Sequence, residues 1–288
     1  MANALVFWCL LGVIALAVFP YGTVDPWWEA AFECSVFFLT AVWIVASVVA
    51  GDWQIRGVSV LLPMMAITAY AFVQAIQWPA WLTTSATRHM LSIDHYQTYI
   101  TARKSLALTL FLTLLLAHTS TAKRFRWVVR AVIAVGAGSA LFGILRQFLQ
   151  PSDSTVGFLL PFLFYGMGYA QFISPNAFAY LMEMTLALLV GLVLGGGVSR
   201  RRVMIYLAVV AIVWTALVLS NSRGGLLSLV CGSIFVLFVA LNWYSERKLY
   251  RGDEPQKWMT LFRTSKLVRI AVIGLVLATL MAGVLWIG

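Results

Sequence analysis

The chain has 288 residues, of which 62% are hydrophobic and only 10% charged, and its mean hydropathy is +0.91. A soluble domain carries roughly 45–50% apolar and about 25% charged residues, so a water-soluble globule is excluded and an integral membrane protein is expected. Lys and Arg outnumber Asp and Glu by 20 to 10; in a membrane protein such an excess anchors cytoplasmic loops, so no nucleic-acid partner is expected from it.

Nine apolar stretches follow one another at 4–19, 29–50, 57–79, 104–119, 127–148, 176–197, 203–220, 224–243 and 267–287. Each is expected to be a helix, because an unpaired backbone polar group in hydrocarbon costs several kcal/mol. The fold class is therefore an all-α, polytopic membrane bundle of about nine spans, forming one transmembrane domain over 1–288. The first stretch lacks a positively charged flank, Met1-Ala2-Asn3 preceding it, and is read as a retained span and not as a cleaved signal.

Orientation follows from the basic residues. One set of alternate connections holds Arg56, then Lys123, Arg124, Arg126 and Arg130, then Arg200, Arg201 and Arg202, and last the run from Arg247 to Arg269. That set accounts for 15 of the 20 basic residues. The opposite set holds only Arg88, Arg103, Lys104, Arg146 and Arg223. The positive-inside rule puts the first set, and the N-terminus, in the cytoplasm.

The opposite, non-cytoplasmic side carries three informative links. The first, Pro20 to Trp28, combines turn formers with an aromatic pair. The second, about 80–103, carries His89, Asp94, His95 and Tyr96. The third, about 149–175, has a Gly- and aromatic-rich middle from Gly157 to Tyr169 that suits a re-entrant or interfacial segment. The three cysteines and the two histidines of the second link have no metal-ligand spacing, and no metal site is expected.

Chemistry-bearing residues concentrate in two places. Ser220-Asn221-Ser222-Arg223-Gly224-Gly225 lies between the seventh and eighth stretches. Ser or Asn there can cap the eighth helix, and Gly224 and Gly225 allow close approach to the backbone. A helix N-terminus beside a guanidinium suits a phosphate; the bland alternative is a tight turn whose Arg223 reaches lipid phosphates. The sixth stretch opens Ser174-Pro175-Asn176, and spacings of four and seven put Asn176, Tyr180 and Glu183 on one helical face. A carboxyl at the depth of Glu183 must face the bundle interior, paired or protonated, as a structural hydrogen-bonding group or as a catalyst. Arg146 is a candidate partner for it, a phosphate ligand, or an interfacial anchor. Glu29 and Glu33 enter the second stretch beside Asp25, and Glu33 is read as a packing polar residue.

These motifs resemble those of the bacterial O-antigen ligase and polymerase family of polytopic membrane glycosyltransferases. The matching pieces occur in order: Phe19-Pro20-Tyr21-Gly22-Thr23-Val24-Asp25-Pro26-Trp27; Leu91-Ser92-Ile93-Asp94; Ser174-Pro175-Asn176-Ala177-Phe178-Ala179 with Leu181-Met182-Glu183-Met184; and Leu217-Val218-Leu219-Ser220-Asn221-Ser222-Arg223-Gly224-Gly225. The resemblance implies a GT-C-like helical fold in the bacterial inner membrane. It implies an undecaprenyl-diphosphate-linked glycan as donor, transferred on the periplasmic side to lipid A core, a growing glycan or a protein, with no cofactor and no obligatory metal. It assigns Arg223 to the donor diphosphate; from the residues themselves, Ser222, Gly224, Asn176 and Arg146 are the further diphosphate-binding candidates and Glu183 the catalytic one. The family also places a His, proposed as its base, in a large periplasmic loop after about the ninth helix, and that loop is expected beyond Gly288. The competing classes are a lipid-linked glycan flippase or transporter, which would use buried Glu183 in gating, and a non-catalytic scaffold.

Overall fold

The computed structural model describes residues 2–51, 57–76, 92–150, 168–194, 197–230 and 232–233. Among them the chain is helical, without a strand. The helices are α1 (Ala2–Val18), α2 (Pro26–Ala50), α3 (Val58–Ala75), α4 (His95–His118), α5 (Ala122–Leu149), α6 (Pro175–Leu194) and α7 (Arg200–Leu219), and a further helix, α8, covers residues 223–230. Six of these, α2 to α7, are long and apolar enough to cross a bilayer, and α1 is a shorter apolar helix. Large apolar side chains such as Phe38, Leu62 and Met204 stand on their outer faces, which water would penalise and lipid does not. The protein is a multi-pass membrane helical bundle. Arg56, His89, residues 157–167, the rest of the eighth stretch, the basic run 247–269 and the ninth stretch lie outside the described residues.

Hydropathy marks where a helix enters hydrocarbon, not where it begins. The apolar pattern predicts a polar loop up to residue 103, but α4 starts at His95. Asp94 is its N-cap, its Oδ1 accepting from the Gln97 amide at 3.0 Å, and Ser92 donates to the Asp94 carbonyl. The first two turns of α4 are polar and extend past the apolar run. The same effect moves the start of α5 from 127 to Ala122, and Asp25 caps α2 at Pro26 through the Trp27 amide.

The chain divides into two compact units, Met1–Ala131 and Val132–Gly288. In the first, Val6, Leu10 and Val13 of α1 pack with Val36, Leu39 and Trp43 of α2 and Leu114 of α4. Thr68 of α3 bonds Ser105 and Thr109 of α4 at 2.7 and 3.1 Å. Glu33 and Glu29, one helical turn apart on α2, reach Arg103 and Lys104 of α4 at 2.6 and 2.9 Å. The Glu33 side chain is 5% exposed and that of Arg103 41%. Removing one partner of a fully buried pair costs about 3–5 kcal/mol; with Arg103 partly solvated, Arg103→Ala is expected to cost about 2 kcal/mol. Thermal unfolding in detergent should show most of that loss recovered in Glu33→Gln/Arg103→Ala, because the stranded charge is gone.

In the second unit, α6 packs against α7. A Cβ placed on Gly136 of α5 would overlap the Thr185 hydroxyl of α6, so the absence of a side chain there sets how closely these helices approach.

Candidate functional site

The site lies in the second unit, at the end where α7 finishes and α6 and α8 begin. Between α7 and α8 the chain turns through three residues. Ser220 closes α7, its hydroxyl donating to the Leu217 carbonyl at 2.6 Å. Asn221 takes the left-handed conformation (φ 53°), which Asn tolerates better than most residues. Ser222 then caps α8: its Oγ accepts the Gly225 amide at 3.1 Å and its carbonyl accepts the Leu226 amide at 3.0 Å. The capping residue is thus Ser222 and not Asn221 or Ser220. Arg223 and Gly224 occupy the first two helical positions, where amides have no intrahelical acceptor. Both residues are exposed, and no described residue forms an ion pair with Arg223.

The two motifs singled out in the sequence meet here. Ser222 Oγ donates to Asn176 Oδ1 at 2.7 Å, so one hydroxyl both caps α8 and ties it to the first turn of α6. One turn further, Ala179, fully buried, faces Gly225: a Cβ on Gly225 would lie 2.5 Å from that of Ala179. Below that, Ser228 donates to Glu183 Oε2 at 2.5 Å. Asn176, Ala179 and Glu183 of α6 therefore oppose Ser222, Gly225 and Ser228 of α8, rung by rung. Glu183 Oε1 is buried and has no hydrogen-bond partner among the described residues.

The structure departs from the sequence reading in two places. Tyr180 does not join Asn176 and Glu183 in the contact; it is 57% exposed. At about 100° per residue the stripe is centred between residues 179 and 183, which leaves Tyr180 at its rim with its ring turned outward. Glu183 is held by Ser228, not by Arg146. The described ion pairs, Glu33–Arg103 and Glu29–Lys104, involve neither residue.

Arg146 is instead bonded to the turn that precedes α6. Only 5% exposed, it donates from Nε to Gln150 Oε1 at 2.9 Å and from Nη1 to the Ala170 carbonyl at 2.7 Å. Ala170 belongs to a tight turn in which Tyr169 and Phe172 exchange both backbone hydrogen bonds, at 3.0 and 2.9 Å. Gly168 permits the turn, with φ +59° and no room for a Cβ against the Phe172 carbonyl. Gln171 Nε2 donates to Ser139 Oγ of α5 at 2.7 Å. The rings of Tyr169 and Phe172 pack on Phe178, the buried aromatic two residues after Asn176. Burial raises the pKa of the Tyr169 phenol, with the Arg146 charge pulling the other way, so this ring stays neutral. The turn and Arg146 together position the start of α6, and with it Asn176.

Sequence reasoning does not find Ser228, Gln150, Gln171 or Ser139. Ser228 has a signal: it continues the three-residue spacing of Ser222 and Gly225. Asp94 and Asp25, acidic groups of the links before α4 and α2, are helix caps. The chain matches no protein-family profile, no curated protein and no solved structure.

Proposed function

We propose that this protein is a bacterial inner-membrane glycosyltransferase of the O-antigen ligase and polymerase kind. It moves an oligosaccharide or polysaccharide from undecaprenyl diphosphate to a lipid, glycan or protein acceptor at the periplasmic face. The observation that carries the reading is the Ser222–Asn176 hydrogen bond, through which two motifs 46 residues apart in the chain form one polar rim at a helix N-terminus. Beside that rim stand the exposed guanidinium of Arg223 and the side-chain-free Gly224, an arrangement suited to a diphosphate. The 15-to-5 distribution of basic residues favours the periplasmic side for this rim.

In the reaction the acceptor hydroxyl attacks the anomeric carbon of the donor sugar, and the bond from that carbon to the diphosphate oxygen breaks. The electron pair leaves with the diphosphate, whose growing charge Arg223 and the first α8 amides stabilise. Ser222 and Asn176 orient the donor beside them. The acceptor proton passes to a base. Among the described residues of the second unit Glu183, whose Oε2 Ser228 holds, is the candidate for it. Arg146 acts by positioning the turn that precedes α6.

Vesicles containing the full chain, loaded with undecaprenyl-diphosphate glycan and acceptor, test the reading. Glycan on the acceptor with an equal amount of free undecaprenyl diphosphate is expected. Donor that crosses the bilayer with its glycan still attached would instead establish a flippase.

A further inference from the structure

We propose that the first unit holds a binding pocket for the phosphodiester headgroup of an anionic phospholipid, with Arg124 as its charged ligand. The N-terminal ends of α1 and α5 and the C-terminal ends of α2 and α4 border an open pocket of about 210 Å³. Asn3, Trp43, Ser47, His118, Ser120 and Arg124 line it. Pockets for drug-sized ligands run to roughly 300–1,000 Å³, so this one suits a headgroup and not a whole amphiphile. Its walls carry hydroxyl, amide, imidazole and guanidinium groups in a chain that is otherwise 62% hydrophobic.

Arg124 is fixed in place before any ligand arrives. Its Nη1 donates to the His118 carbonyl at 3.2 Å, and its charge lies 5.3 Å from the centre of the Phe7 ring. A guanidinium has five N–H donors in one plane, so this bond leaves the fork able to grip a phosphate. His118 is buried, and its Nδ1 donates to the Leu114 carbonyl at 2.9 Å. The surroundings match a headgroup region. Lys123, Arg126 and Arg130 are exposed on the first turns of α5. Trp8 and Trp127 meet edge to face at 5.4 Å, and Arg130 stands over Trp127. Tryptophan marks the depth of the bilayer interface, and basic pockets between helices on the cytoplasmic side select anionic lipids. The distribution of basic residues makes this the cytoplasmic end of its helices, so the pocket is independent of the transfer chemistry.

Native mass spectrometry of the full chain from nanodiscs of equimolar phosphatidylglycerol and phosphatidylcholine provides the test. The wild-type protein is expected to retain phosphatidylglycerol in preference. Arg124→Gln removes the ligand, and Ala46→Leu fills the cavity while keeping Arg124, so a folding defect in the first does not decide the matter. Each is expected to reduce retention by roughly fivefold, the effect of one phosphate-bound cation at an anionic surface. Arg126→Gln, with the same charge loss on an exposed side chain, should change it by less than about twofold. Equal loss in Arg126→Gln and Arg124→Gln with none in Ala46→Leu would mean diffuse attraction and overturn the pocket. Displacement of the lipid by an equal concentration of glycerol phosphate would overturn the lipid as its occupant.

Discussion

Arg223→Ala is expected to lower glycan transfer on the order of 10²–10³-fold, while the protein inserts and melts as the wild type does. Under the proposed reaction the loss is that of one preorganised charge at the leaving diphosphate, about 3–4 kcal/mol of transition-state stabilisation. The unchanged stability follows from the surroundings: Arg223 is exposed at the first position of α8, and no described residue pairs with it. Arg223→Lys keeps the charge but loses the two parallel N–H groups, so its activity should fall between the two. The division between kcat and KM is informative. A contact made equally to bound donor and to transition state would raise KM alone, whereas one that strengthens as the diphosphate leaves lowers kcat. The second pattern is expected in proteoliposomes at saturating donor. Transfer by Arg223→Ala at the wild-type rate would reduce Arg223 to an anchor for lipid phosphates.

The helices are legible in the sequence because the bilayer leaves the backbone no alternative, and the apolar runs from 29–50 to 203–220 coincide with α2 to α7 in their middles. Their ends are not, because polar helix extends beyond the hydrocarbon. The first two turns of α4, from His95 to Arg103, read as loop by hydropathy, yet Asp94 caps them and Glu33 pairs with Arg103. At the site, Asn176, Glu183, Ser222 and Arg223 stand out as polar residues in apolar surroundings, which is a signal a single sequence carries. Their partners do not. Ser228 looks like any small residue in a helix, and Gln171 and Ser139 meet across a turn whose shape depends on Gly168 and Ala170 at positive φ. The Arg146–Glu183 pair, one of three alternatives for Arg146, does not form for a related reason. Charge complementarity over a distance is a weak guide when a carbonyl such as that of Ala170 lies within reach.

The contact of Ala179 with Gly225 offers a test of the α6–α8 rim that replaces none of its polar groups. A methyl on Gly225 would stand 2.5 Å from Ala179 Cβ, too close for α6 and α8 to keep their places, and 3.1 Å from Ser222 Oγ and 3.3 Å from Leu217 Cδ1, where the side chains must give. Gly225→Ala is therefore expected to push α8 off α6 and to cost roughly 1–3 kcal/mol, the usual penalty for an overfilled interior. The better helix propensity of Ala, worth about 1 kcal/mol, offsets part of this. Gly224→Ala isolates that gain, since a Cβ there meets nothing within 4 Å, and it should melt at or above the wild-type temperature. Because Ser222–Asn176 and Ser228–Glu183 flank the contact on either side, the displacement stretches both hydrogen bonds. A misplacement of about 1 Å in a reacting site costs on the order of 10²-fold in rate, so Gly225→Ala should lose transfer activity together with stability, unlike Arg223→Ala. Exchanging the two side chains distinguishes spacing from chemistry: Ala179→Gly/Gly225→Ala restores one methyl per contact and should recover most of both losses. A double variant no better than Gly225→Ala in melting temperature and in transfer would show that the approach of these two residues does not hold the rim together.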